Sequence, residues 1–184
     1  MDPLLHRLQG KAEGVTTHQH ELQAFLTEAA SERLAILQRH EAGARVVGNY
    51  DFNNTYQYII SREETHLQWL QNALAEFGAA LPAPASAIPV PAAVKTGKKT
   101  DAGAYRGILE DDARTLKSFV ERWRPRLEVM THARHRTMMN VILGESMEHC
   151  QLFEQAASGF EDVLGRRTDG AARVGEVLPS RWQE

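Results

Sequence analysis

Cysteine is nearly absent from this sequence, which contains only Cys150. A single cysteine excludes an internal disulfide, and it excludes any CxxC-based zinc module or rubredoxin-type iron site, because each needs at least two thiols. The N-terminus also lacks the cationic start, the apolar stretch and the small-residue cleavage site of a secretory signal peptide. We therefore expect a protein of the reducing cytoplasm.

Long apolar runs and an excess of positive charge are missing as well. No apolar stretch approaches the roughly 20 residues that span a bilayer. The 21 lysines and arginines stand against 24 acidic residues, a net charge of −3, which gives no basic field for nucleic acid or an anionic membrane. At 184 residues the chain is long enough for one buried core and leaves little room for a second domain.

Strand-like alternation is also rare, and helical periodicity dominates instead. In four segments the apolar residues recur at spacings of three and four, which is typical of helices with one buried face. The predicted helices run from Thr16 or Thr17 to about Gly43, from an N-cap at Asp51 to a stop at Gly78, from about Asp101 to Pro125, and from about Thr131 to Leu164, with Phe160 and Leu164 facing inward. Residues 1–15 and 165–184 are then an N-terminal segment and a C-terminal tail on either side of a bundle over residues 16–164.

The connection between the second and third predicted helices is much longer than the other two. It has over 20 residues, contains several prolines and lacks helical periodicity, which predicts an extended segment. Connections in a simple up-and-down bundle need only about 2–8 residues. At roughly 3 Å per residue, this one can cross the whole length of a bundle. We predict an all-α four-helix bundle with a long crossover, and a flexible linker between two helical hairpins is the alternative.

Charged residues inside the apolar stripes are the candidates for chemistry, because a buried carboxylate needs a partner. At about 100° per residue, Glu63 lies at the centre of the second stripe and His66 faces inward one turn later. The same reasoning selects one or two inward residues on each of the other helices. On the first helix Glu32 is preferred, and Glu28 is the alternative. The full set of inward acids and histidines is Glu32, Glu63, His66, Asp112, Glu145 and His149.

The four inward acids lie at similar depths in the predicted bundle. The midpoint of Glu32 and Glu63 falls in the first turn, and that of Asp112 and Glu145 falls between the third and fourth helices. Residues equally far from the turn that joins two antiparallel helices lie at the same height, so we expect these carboxylates to converge near mid-bundle. Oxygen-rich ligation with one or two imidazoles suits iron or manganese. The pattern therefore predicts an iron or manganese site formed by these residues.

The run Arg62-Glu63-Glu64-Thr65-His66 resembles the second helix of ferritin-like di-iron proteins such as bacterioferritin and rubrerythrin. The likeness extends, as a pattern, over residues 16–164. In that family, one Glu from each of two helices and a Glu-x-x-His from each of the other two bind two metal ions. Glu63 and His66 match this motif, and Glu32 and Glu145 would take the corresponding positions on the first and fourth helices.

Two positions depart from the family pattern. His149 follows Glu145 by four residues rather than three, with Glu148 in the expected place, and Asp112 stands where Glu is usual. Either Glu148 or His149 therefore completes the site on the fourth helix. The resemblance implies a metal-dependent oxidase or peroxidase, or an iron-handling protein, with dioxygen or peroxide as its partner, and it leaves a homo-oligomer open.

A bundle without metal is the competing interpretation. In it, Glu63, Glu145, His66 and His149 form a buried hydrogen-bond network that includes Arg33. The protein would then be a non-enzymatic helical interaction or scaffold protein. A third hypothesis, an oxygenase acting on an organic substrate, needs a pocket beside the metals. Under all three hypotheses, we expect His40 to be a partly solvated residue near one end of the bundle.

Overall fold

The computed structural model describes residues 3–86, 88–89, 102–160 and 162–165, with side chains described from residue 18 onward. Within these residues the chain is all-α, with four α-helices and no β-strand, which confirms the all-α part of the predicted fold. The four α-helices are α1 (Pro3–Val46), α2 (Tyr50–Ala75), α3 (Arg106–Glu128) and α4 (Ala133–Ala157), and a short 3-10 helix (Ala102–Tyr105) precedes α3. The predicted tail beyond residue 165 lies outside the described residues.

The core lies between two helical pairs. Helix α1 packs on α2 and α3 packs on α4, while α2 also contacts α4 and α1 contacts α3. Burial of a large apolar side chain contributes roughly 1.5–3 kcal/mol. Five aromatic side chains of the described residues are completely buried in this core: Phe52, Tyr56, Phe119, Trp123 and Phe153. None of the described helices combines the length and the apolar character needed to cross a membrane.

Asn49 caps the start of α2. Its side-chain oxygen accepts hydrogen bonds from the backbone amides of Asp51, at 3.0 Å, and Phe52, at 3.1 Å. Asp51, the predicted cap, lies instead inside the first turn of α2, where a negative charge is favourable to the helix dipole. The prediction was wrong by two positions because Asn and Asp are both good caps.

Glycine ends both α2 and α4. The predicted stop at Gly78 is confirmed: its φ is 68°, and the amide of Ala79 donates to the carbonyl of Leu74 at 3.1 Å. The same arrangement recurs after α4, where Gly159 has a φ of 94° and the amide of Phe160 donates to the backbone carbonyl of Gln155 at 3.1 Å. The predicted continuation of the fourth helix to Leu164 is therefore wrong.

This early end also changes the surroundings of Phe160. The side chain is 57% exposed instead of facing the core. Leu164 is half-buried and follows the helix instead of belonging to it. The apolar spacing that suggested a longer helix thus continues past the last helical residue.

Two other predicted boundaries differ from the structure. Helix α1 begins at Pro3 and not at Thr16 or Thr17, and α3 continues through Pro125 to Glu128. Proline removes one helical hydrogen bond. Trp123 and Leu127, on either side of Pro125, are buried, and their burial favours continuation of the helix.

The segment after α2 lies along α1. The hydroxyl of Ser31 donates to the carbonyl of Ala83 at 2.7 Å. The backbone carbonyl of Ser31 accepts from the amide of Ala85 at 2.8 Å. Further along α1, Arg39 donates to the carbonyl of Pro89. At the opposite end of the connection, the hydroxyl of Tyr105 lies beside Gly48, in the turn between α1 and α2.

Candidate functional site

A buried cluster of ionisable side chains joins α1 to α2. Arg33, His40, Glu63 and His66 are each 0% exposed. The Nη2 atom of Arg33 lies 3.3 Å from Glu63 Oε1 and 3.0 Å from His66 Nδ1, and His40 Nδ1 lies 2.9 Å from Glu63 Oε2. The guanidinium therefore contacts both members of the Glu-x-x-His pair.

The cluster continues to α4 through His66. Because Arg33 donates to Nδ1 of His66, the hydrogen of this imidazole lies on Nε2 and donates to Glu145 Oε2 at 2.9 Å. Arg62 donates to both oxygens of Glu145, from Nε at 2.9 Å and Nη2 at 2.5 Å. Ser146 accepts from Arg33 Nη1 at 3.2 Å. Residues of three helices thus share one connected polar network.

His149 lies against this network without a hydrogen bond at Nδ1. Its ring is nearly parallel to that of His66, at 6.3 Å between centroids, and the side chain is 1% exposed. Two buried imidazole nitrogens among the described residues have no hydrogen-bond partner, His149 Nδ1 and His40 Nε2. His149 also lines a surface pocket of about 430 Å³ together with Tyr58 and Glu148.

Asp112 belongs to a second buried group. Its Oδ1 accepts from Arg39 Nε at 2.7 Å, and its Oδ2 accepts from the hydroxyl of Tyr56. Burial, followed by the charge of Asp112, raises the pKa of Tyr56, so this hydroxyl remains protonated and donates. The ring of Tyr56 packs against Phe153 at 4.9 Å and lies 6.2 Å from the ring of His40, which places the two groups side by side.

Glu32 is separate from both groups. It accepts from Trp123 Nε1 at 2.8 Å and lies 3.4 Å from Arg122, with 17% of its side chain exposed. Glu28, the predicted alternative to Glu32, is 58% exposed and pairs with Arg126. Of the four carboxylates expected to meet at mid-bundle, only Glu63 and Glu145 therefore belong to one network, in which Arg33 and His66 lie between them.

Both carboxylates of the main cluster lie against arginines: Glu63 against Arg33 and Glu145 against Arg62. Burial opposes the ionisation of Glu63, but His40 and Arg33 outweigh it and hold the pKa of this carboxyl below its usual value. Glu145 also has a lowered pKa, because its bonds to Arg62 and His66 outweigh its burial. The two carboxylates thus carry two negative charges at neutral pH, and Arg33 and Arg62 carry two positive ones.

The neighbouring histidines are neutral at the same pH. Burial lowers the pKa of His66 to about 4, and the charge of Arg33 acts in the same direction. Burial also lowers the pKa of His149 to about 4. The imidazoles of His66 and His149 are therefore uncharged, and each keeps a lone pair.

No protein-family model, curated protein or solved structure matches this chain. The chemistry of the site therefore rests on its own geometry. Among the described residues, no group of three or more His, Cys, Asp or Glu side chains is arranged to hold a metal ion.

The types of donor atom suit iron or manganese, but their arrangement does not fit a pair of such ions. The lone pair of His66 Nδ1 and an oxygen of Glu63 already face Arg33. Two divalent ions would add four positive charges beside the guanidinium groups of Arg33 and Arg62. With Arg33 in this position, the side chains form a hydrogen-bonded network instead of a coordination shell.

Sequence reasoning identified part of this network and missed part of it. The alternative joined Glu63, Glu145, His66 and His149 with Arg33, and the observed bonds agree with it except at His149, whose Nδ1 has no hydrogen-bond partner. The expectation that His40 is partly solvated was wrong, because it is fully buried against Glu63. Its spacing from Arg33 is a signal that could have found it, since two residues seven positions apart share one helix face.

Proposed function

We propose that this chain is a ferritin-like four-helix bundle whose buried acids and histidines stabilise the fold, and that it acts as a non-enzymatic helical interaction or scaffold protein. One observation carries the proposal: Arg33 contacts Glu63 and His66 at the place where a metal would need them. Its positive charge replaces the charge that a metal would supply to this carboxylate.

The path of the chain between α2 and α3 supports the ferritin-like part of the proposal. Glu76, just after α2, lines the same pocket as Leu22 of α1, which marks one end of the bundle. Tyr105, just before α3, lies beside Gly48 in the turn at the opposite end. We propose that the connection between these two points crosses the length of the bundle, as the crossover of the ferritin-like arrangement does.

The length of α1 supports the proposal that the chain is an interaction or scaffold protein. It has 44 residues, whereas the other three helices have 26, 23 and 25. At 1.5 Å per residue, α1 is about 66 Å long and the others are below about 40 Å. Because α2 ends near the level of Leu22, residues 3–17 extend α1 past its neighbour. We propose that a partner helix, such as one from a second copy of the chain, packs along this extension.

Metal content and the response to chelators test the proposal. We expect protein purified from cells grown with iron and manganese to contain far less than one metal ion per chain by elemental analysis. We also expect EDTA to leave the thermal unfolding temperature unchanged. One or two ions per chain, lost in Glu63→Ala and His66→Ala, would contradict it.

A metal-dependent oxidase, peroxidase or iron-handling protein is the second candidate, with two iron ions or manganese and with dioxygen or peroxide as its partner. It is favoured by the unpartnered nitrogens of His40 and His149, because a buried imidazole nitrogen without a hydrogen bond is available as a ligand. It requires Arg33 to leave its present position. Oxidation of Fe(II) in air, accelerated by the native chain and not by Glu63→Ala, would support this candidate over the first.

A further inference from the structure

Two histidines are bonded to each other at the start of α4. Nδ1 of His135 lies 2.7 Å from Nδ1 of His132, and the centroids of the two rings are 4.3 Å apart. His135 is 2% exposed, whereas His132, the N-cap residue of α4, is exposed. Two nitrogens at this distance share a single hydrogen, because two N–H groups would meet head-on. The rings are therefore bonded only while one Nδ1 atom keeps its lone pair.

The contact on the other side of His135 determines where this hydrogen lies. Nη2 of Arg134 lies 3.4 Å from Nε2 of His135. A guanidinium has donors and no acceptor, so Nε2 of His135 accepts and the hydrogen of this imidazole lies on Nδ1. His135 then donates to Nδ1 of His132. Because both accepting nitrogens already face a donor, one further proton breaks either the bond between the rings or the contact with Arg134.

The surroundings on α4 and after α2 also oppose a positive charge at this pair. The first turn of α4 contains no acidic residue, and His132 gives it no side-chain cap, so the positive end of the helix dipole is uncompensated there. Glu76, just after α2, lies 3.8 Å from Nε2 of His135 but is already bound by Arg134. The ring of Phe77 lies 6.2 Å from that of His135. Burial, followed by the charges of His132 and Arg134, lowers the pKa of His135.

Both histidines line a pocket of about 720 Å³ at this end of the bundle. The charged or titratable residues that α1 and α3 contribute to it are His18, Glu21 and Arg126. His18 lies 3.4 Å from Glu21, and Arg126 pairs with Glu28, so these charges are compensated locally. The apolar lining consists of Leu22, Phe25, Phe77, Val129 and Met130. Movement of the first turn of α4 would expose this apolar lining.

We propose that His132 and His135 form a proton-sensitive latch, which holds the first turn of α4 against the end of α2 at neutral pH and opens in mild acid while the rest of the bundle stays folded. The closed latch binds fewer protons than the open one. The equilibrium therefore moves toward the open form as the pH falls through the range in which a free histidine gains its proton. The inference goes beyond the proposed function, because it assigns an acid-dependent change of shape to the end of the bundle from which α1 extends.

Methyl NMR of the methionines tests the latch, because two of them report on different regions. Met130 lines the pocket beside the pair, whereas Met139 is 0% exposed in the core. Between pH 7.5 and 4.5, we expect the Met130 signal to change with a midpoint at least about one pH unit above that of Met139. The variants Met130→Leu and Met139→Leu assign the two signals. The proposal is overturned if Met130 does not change, or changes only together with Met139.

His132→Asn separates the latch from a general effect of acid. Asparagine is a good N-cap without a titrating group, and its amide oxygen can accept from Nδ1 of His135, so a proton on Nε2 of His135 leaves that bond intact. We expect the Met130 midpoint of this variant to fall to within about half a pH unit of that of Met139. His18→Asn is the matched control, because His18 is an exposed histidine of the same pocket and pairs with Glu21. We expect it to titrate as the native chain does, and the same midpoint in both variants would overturn the latch.

Discussion

Asp111 and Asp112 are adjacent in the sequence, yet their surroundings are opposite. Asp112 is 0% exposed and pairs with Arg39, which is 4% exposed, whereas half of the Asp111 side chain is exposed beside Arg114. We expect Asp112→Asn to lower the free energy of unfolding by about 3–5 kcal/mol, because Arg39 would remain buried without a counter-charge. Asp111→Asn should change it by less than about 1 kcal/mol, because an exposed pair is screened by water. Urea unfolding of the two variants, measured together, checks this contrast, and equal losses would contradict it.

The residues that sequence reasoning could place are those inside a regular stripe. Glu63 and His66 were predicted to be inward because Leu67, Leu70 and Leu74 continue the same face, and both are fully buried. Arg39 could not be placed in this way. A long side chain can turn inward from the flank of a helix, and its partner Asp112 lies on a helix whose position depends on the whole fold.

At the level of the helices, Gly43 fixes how closely α1 approaches α2. A methyl group added at Gly43 would lie 2.9 Å from the ring of Tyr56, whereas one added at Gly144, within α4, would meet nothing within 4 Å. We expect Gly43→Ala to destabilise the protein by about 1–3 kcal/mol because of this overlap. Gly144→Ala should stabilise it by up to about 1 kcal/mol, because alanine favours a helix. Thermal unfolding of both variants tests the pair, and stabilisation by Gly43→Ala would show that the contact is not tight.

Single residues in the sequence predicted some of the helix boundaries correctly and others wrongly. The stop at Gly78 was correct because a glycine with positive φ closes a helix by itself. Pro125 gave the wrong end because a proline weakens a helix by a limited amount, which burial of Trp123 and Leu127 can offset. The start of α1 at Pro3 was missed because Thr16 and Thr17 are good N-cap residues, which favoured a helix that begins there.

For the whole molecule, the two histidines of low pKa predict a loss of stability in mild acid. An unfolded histidine gains its proton near pH 6.5, whereas His66 and His149 in the fold do so near pH 4. Between these values the unfolded state binds more protons, so the free energy of unfolding falls as the pH falls, by on the order of 3 kcal/mol for each histidine. The lowered pKa values of Glu63 and Glu145 add a further loss below about pH 4.5.

Urea unfolding at several pH values between 7.5 and 4.5 measures this dependence. We expect His149→Gln to unfold at a lower urea concentration at neutral pH and to lose less further stability on acidification than the native chain. The histidine at position 149 no longer takes up a proton on unfolding in this variant, which is the reason for the shallower dependence. Parallel curves for the two proteins would show that His149 does not contribute.

The pairing of Glu63 and Glu145 with Arg33 and Arg62 also bears on when the chain can reach its folded state. A bundle that draws its compensating charge from a metal waits for that metal after synthesis, so its abundance follows the supply of the ion. Under the proposed function, the positive charges that compensate Glu63 and Glu145 come from arginines of the polypeptide itself. Starvation for iron or manganese should therefore leave the amount of folded protein in the cell unchanged.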